Sequence, residues 1–355
     1  MSLRPLRTIC YLLYLGGLIT LSLLALELVY RKQIINFYKP ELTTFNLPTD
    51  LEKKEKSSTI LCMGDSFTAG LYSYPAYLRE IKPNYRVING GIPGTGIKQA
   101  LYAADYNFSQ FDPELFIYQV YVGNDLLDIR YPVNPEKLTL SRSTYWTLAN
   151  QLRSISFLNY RLGQILSKQN SSISFDPTVI QQGVTKLDSS ITEQGESLHE
   201  QFSPALYSLR DQIYLQAEPE LIDNHVMLNP ARAKEFEIFK EDLLELLSYC
   251  QQPKCRAIVV LIPHASQVNS RYRSDLETLG AKFSSEFGKD SEEYPFFLKT
   301  KEFLQSTTLE NITLLNVLPE FQKHENLGVP LYYANDPHLN QTGQALLANI
   351  VAEQF

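Results

Sequence analysis

Thr59-Ile60-Leu61-Cys62-Met63, followed by Gly64-Asp65-Ser66-Phe67-Thr68-Ala69-Gly70, is a short apolar run broken by a turn of small and polar residues. Five apolar or β-branched residues stopped by such a turn read as a buried strand. Tyr74–Ile81 beyond it has helical spacing. Outward from this unit, residues 85–88, Leu115–Tyr121, 257–262 and 312–317 read as further strands, and 97–107, 233–249 and 341–353 as helices. Strands that alternate with helices imply a parallel sheet, since parallel neighbours need a long crossover. The expected fold is α/β: a flavodoxin-like three-layer αβα domain with five parallel strands.

Between residues 126 and about 231 the alternation stops. A structureless loop of that length is improbable in a compact domain, so this insertion is expected to be mostly helical, as a lid or partner surface. Residues 8–26 carry no charge and are long enough to span hydrocarbon, with Arg4 and Arg7 before them and Arg31 and Lys32 after. They lack a clear small-x-small cleavage pattern and read as an uncleaved signal anchor. Glu27 marks its boundary, where a carboxylate can reach the interface. The expected organisation is an anchor at 1–32, a stalk at 33–57 containing Pro40, Pro48 and a charged run, and a domain at 58–355. The flanking charges nearly balance, so the extracytoplasmic placement of the domain rests on the short N-terminal tail and on Cys250 and Cys255, which are close enough to bridge in an oxidising compartment.

Of the 355 residues, 39 are acidic and 32 basic, a net charge of −7. With no basic stripe interleaved with aromatics, neither nucleic acid nor phosphate-backbone binding is expected. Four cysteines are too few and scattered for a disulfide scaffold or zinc knuckles. Asn107, Asn170, Asn311 and Asn340 begin N-x-S/T triplets, which matter only in a glycosylating cell.

Four blocks carry chemistry. Ser66 lies at the carboxyl end of a strand, the edge of an open parallel sheet where ligands bind; read alone, it is also a helix-capping serine. Asn89-Gly90-Gly91-Ile92-Pro93-Gly94-Thr95-Gly96 is a glycine-dense turn able to expose backbone amides, but it matches neither nucleotide-binding fingerprint, so no nucleotide is expected. Gly123-Asn124-Asp125 puts an amide side chain at the same edge. In Asn335-Asp336-Pro337-His338 one residue separates acid from imidazole, so in an extended segment both point to one side. No third ligand of suitable spacing accompanies them, which argues against metal. His264 also follows a strand and is placed to line the crevice or to be structural.

In this order the blocks resemble those of the SGNH/GDSL hydrolases, named for Ser, Gly, Asn and His, here Ser66, Gly94, Asn124 and His338. The resemblance spans the α/β part and leaves out anchor, stalk and insertion. Val122 stands where the third block usually has glycine. The last block reads D-x-H where many members have D-x-x-H, which puts Asn335 at the usual acid position; chemistry favours Asp336. The resemblance implies a Ser66–His338–Asp336 triad with an oxyanion hole from the Ser66 and Gly94 amides and the Asn124 side chain, without cofactor or metal. The expected substrate is an ester-linked acyl group, O-acetyl or short acyl, on an extracytoplasmic glycan or lipid. O-acyl transfer to cell-surface polysaccharide and a catalytically silent carbohydrate-binding protein are the other readings.

Overall fold

The computed structural model describes residues 4–52, 58–167, 201–251, 254–289 and 293–355. Asn170 and part of the expected insertion and stalk lie outside them. Five strands, β1 (Thr59–Met63), β2 (Arg86–Asn89), β3 (Leu115–Tyr121), β4 (Arg256–Ile262) and β5 (Ile312–Asn316), form one parallel sheet in the order β2-β1-β3-β4-β5. This is the expected α/β architecture. Every residue of β1 and β3 is buried, as required of strands covered on both faces.

The chain leaves β1 for one edge, returns, and continues on the other side of β1. Right-handed crossovers therefore put Tyr74–Ile81 and Ile97–Phe111 on opposite faces. The first packs against the last helix, Gln341–Ala352, and the second against Ala233–Ser248. The reversal opens a crevice beyond the carboxyl ends of β1 and β3, where open α/β sheets bind ligands.

The described part of the insertion is helical: Asp125–Ile129, Leu140–Gln151, Arg153–Ser167, Leu209–Ala217 and Leu221–Val226. Leu127, Tyr131, Trp146, Ala149, Tyr214, Ala217 and Leu221 form a core of its own, with the rings of Trp146 and Tyr131 parallel at 6.2 Å. A fully buried ion pair, Glu218–Arg232, closes it; Arg232 also donates to Arg130 O (2.8 Å), and Glu218 accepts from Asn224 Nδ2 (2.8 Å).

The N-terminal helix, Arg4–Arg31, is long and apolar enough to cross a membrane. Its Glu27 does more than mark a boundary. The carboxylate accepts from the Arg153 and Ser154 amides (3.0 and 2.8 Å), capping the helix Arg153–Ser167, whose first N–H groups have no partner within the helix. Tyr30 is buried one turn on, its ring 5.3 Å from Phe157 and 5.4 Å from Phe37.

The stretch read as a stalk is folded where it is described. It carries the helices Lys39–Phe45 and Pro48–Glu52, and Glu41 pairs with Arg161 and accepts from Tyr160 Oη (2.8 Å). Asn46 donates to Asn89 O (2.7 Å) and accepts from Asn89 N (2.8 Å), standing in for the missing neighbour strand at the end of edge strand β2. Proline and charge marked this segment as a linker, but Glu41 and Asn46 meet partners far along the chain and Leu42 is buried in the main core. Cys250 and Cys255 are joined in a disulfide with Cα atoms 5.2 Å apart.

Replacing Glu218 with alanine strands the buried Arg232 charge. The expected loss is about 3–5 kcal/mol, read as a lower denaturant midpoint, with partial recovery when Arg232 is changed to methionine as well.

Candidate active site

The turn after β1 is held from beneath by one buried amide. Gln119 Oε1, on β3, accepts from Asp65 N (3.2 Å) and Thr68 Oγ1 (3.0 Å), while Asp65 Oδ1 accepts from Phe67 N (2.9 Å). This leaves Ser66 at the apex, half-buried. It caps no helix: the next begins at Tyr74, with Ser73 in the capping position.

The His338 loop arrives from the far end of the chain. It is pinned as a short antiparallel turn by the Tyr332–Leu339 bridge, Tyr333 N to His338 O (3.1 Å) and Asn340 N to Leu331 O (2.9 Å). Asp336 Oδ1 accepts from the His338 amide (2.9 Å) and lies in hydrogen-bond contact with His338 Nδ1. A carboxylate only accepts, so Nδ1 carries the proton and Nε2 presents a lone pair. That Nε2 is 2.7 Å from Ser66 Oγ, across 272 positions of chain. The Phe67 ring lies 5.0 Å from the imidazole.

Asn335, the other candidate for the acid, does something else. Its Oδ1 accepts from Ser203 N (2.8 Å), its Nδ2 donates to Gln201 O (3.1 Å), and its carbonyl accepts from Ser208 N (3.0 Å). It clasps the insertion to the histidine loop.

Burial works to lower the His338 pKa, but the hydrogen bond and charge of Asp336, with Asp65 and Asp211 farther off, outweigh it and hold the pKa above the ordinary 6.5. Burial likewise works to raise the Asp336 pKa, and contact with His338 brings it below the usual carboxylate range. Asp65 is buried, its Oδ2 has no partner among the described residues, and desolvation pushes its pKa up to about 6.

The glycine-dense turn lies directly on the Ser66 turn. Ile92 N donates to Gly64 O (2.9 Å), and a Cβ on Gly91 would stand 2.5 Å from Ala69 N, backbone that cannot give way. Asn89 joins the two turns, donating to Thr68 O (2.9 Å) and accepting from Gly91 N (3.0 Å). Gly94 has φ +68°, the left-handed region glycine tolerates. The Ser66 and Gly94 amides donate to none of the described residues.

Asn124 is half-buried at the start of Asp125–Ile129, and its buried Oδ1 has no partner among the described residues. The preceding Gly123 O is 2.7 Å from His225 Nδ1, a buried imidazole on the insertion whose pKa burial pushes well down, so it is neutral and donates here. Val122, in place of glycine, is fully buried and extends the ladder through its amide to Ile262 O (3.0 Å). His264 is buried, its Nδ1 accepts from Ser266 N (3.2 Å), and burial lowers its pKa to about 3; it also lines a small pocket beside the site. That pocket is lined as well by Tyr121, Asn124, Tyr207, Asp211, Tyr214 and Pro337, among others.

Sequence reasoning missed Gln119, Asn46 and His225, and took Asn89 only as the start of the glycine-dense turn. Only Gln119 carried a signal, as a lone amide inside an apolar strand, where a buried polar group demands partners.

No protein-family model matches the chain, and no curated protein does. Among solved structures, the lipase Lip_vut3 from a goat rumen metagenome is 10% identical, with a TM-score of 0.33 over 83% of this chain and 97% of that one.

If His338 serves as a base it works only as neutral imidazole, so kcat/KM should fall as pH drops, with a midpoint above 6.5. Asp336→Asn should move that midpoint down and lower kcat by about 10⁴-fold. Initial rates across pH 5–9 decide; a midpoint below 6.5 that D336N leaves in place removes Asp336 from this role.

Proposed function

We propose that the protein is a serine hydrolase of the SGNH/GDSL type that cleaves an ester-linked acyl group. The observation that carries this reading is the Asp336–His338–Ser66 chain, in which one imidazole nitrogen meets a carboxylate and the other a hydroxyl at 2.7 Å. Ser66 Oγ attacks the acyl carbonyl as its proton passes to Nε2, and Asp336 orients the ring and balances the imidazolium. The oxyanion is received by the Ser66 and Gly94 amides and the Asn124 side chain, donors committed to no other described group and set before the reaction. His338 returns the proton to the leaving alcohol, and water releases the acyl group by the same steps.

The N-terminal helix anchors the protein in a membrane with the domain on the extracytoplasmic side, a placement supported by the Cys250–Cys255 bridge. The substrate is then an acylated glycan or lipid within reach of that surface. O-acyl transfer is the second reading. It draws on the insertion clasped to the histidine loop through Asn335, which sets a folded wall beside Ser66 for an acceptor alcohol to lie against.

A fluorophosphonate is expected to label the wild-type protein and not Ser66→Ala. Failure to label the folded wild type would make this a silent binding protein. Asn124→Ala should lower kcat on an aryl acetate by about 10²- to 10³-fold; unchanged turnover in a folded variant would remove Asn124 from the oxyanion site. Turnover that rises on adding a sugar acceptor would favour transfer over hydrolysis.

A further inference from the structure

We infer that Arg210 forms a subsite for an anionic group, phosphate or carboxylate, carried by the substrate beside its ester; the inference rests on the ester-hydrolase reading of Ser66. Arg210 lies in the first turn of Leu209–Ala217, two residues after Ser208, whose amide binds the Asn335 carbonyl. Its Nη1 is 3.4 Å from the point where a side chain on Gly94 would begin, so the guanidinium borders the glycine assigned to the oxyanion hole.

The side chain is held before any ligand arrives. Nε donates to Tyr214 Oη (3.0 Å), and the guanidinium carbon lies 5.4 Å from the centre of the Tyr214 ring. Tyr214 is itself buried, 5.5 Å from Trp146 in the core of the insertion. Holding a long side chain in place lowers the ordering entropy lost on binding. Yet the residue is exposed and its terminal nitrogens bond to none of the described residues; Asp128 and Asp211 act on it only across space. A planar guanidinium with its fork free matches a phosphate or carboxylate with two parallel N–H donors. The charge is also selective here. Asp65, Asp211 and Asp336 all bear on His338, so an anionic substrate would be repelled from this mouth without a cation beside the reacting carbonyl.

The test compares esters of one acyl length on glycerol, on glycerol phosphate and on a hydroxy acid, with wild type, Arg210→Ala and Arg210→Lys. Wild type should prefer one anionic ester over the neutral one in kcat/KM by about 10- to 100-fold, mainly through KM; which anion is preferred identifies the group. R210A should bring the ratio near one, and R210K, which keeps the charge without the fork, should restore part of it. A ratio that R210A leaves unchanged overturns the inference, as does wild type showing no preference. Independently of turnover, folded Ser66→Ala protein is titrated with glycerol phosphate and with lactate by ligand-observed NMR. Binding lost in S66A/R210A upholds the anion site even if no ester is cleaved, and absence of binding to S66A refutes it even if esters are.

Discussion

The hydrogen bond between His338 Nε2 and Ser66 Oγ joins the first and last blocks of the α/β domain, and the rest of the structure is arranged so that it can form. It requires two turns far apart in the chain to meet at one sheet edge with their side chains aimed at each other. The parallel sheet supplies the meeting place, since every strand ends its carboxyl side on the same edge and the order reverses beside β1. Orientation comes from smaller contacts: Asp336 fixes the tautomer and tilt of the ring, and Gln119 fixes the turn that lifts Ser66.

These contacts form a graded support. Gln119 reaches up from β3 and Asn89 across from β2, while Asn46, from the segment just beyond the apolar N-terminal helix, completes the edge on which Asn89 stands. Each is an amide side chain satisfying backbone groups that the sheet leaves unpaired at its end, where a buried polar group left alone is destabilising. The N-terminal helix joins the same framework through Glu27 and Tyr30. The helix end is thus docked on the folded domain by side-chain contacts as well as by the chain that follows it.

The insertion has a double role in this arrangement. Its own core of Trp146, Tyr131 and Tyr214 makes it a stable wall, and from that wall it sends His225 to the Gly123 carbonyl, Ser203 and Ser208 to Asn335, and Arg210 to the border of Gly94. Charge near the site is mostly negative, which holds the His338 pKa up and makes a lone, pre-positioned cation significant for selection among substrates.

Much of this was legible beforehand. Short apolar runs alternating with helical spacing specify a parallel sheet because both periodicities are local properties of the chain, and turns at strand ends place Ser66, Gly94 and Asn124 at one edge. Asp336 was preferred to Asn335 on chemistry alone, but what Asn335 does instead was not local: it reaches Gln201 and Ser203, more than a hundred positions away. The same holds for Asn46, His225 and Arg210, polar residues in stretches without periodicity whose partners are set by tertiary packing. Residue order alone therefore determined the layers, the sheet and the edge where chemistry gathers, since these follow from short-range pattern and chain connectivity. Which polar side chain meets which was decided only when distant elements closed on each other, because a hydrogen bond depends on ångström-scale placement that no spacing along the chain encodes.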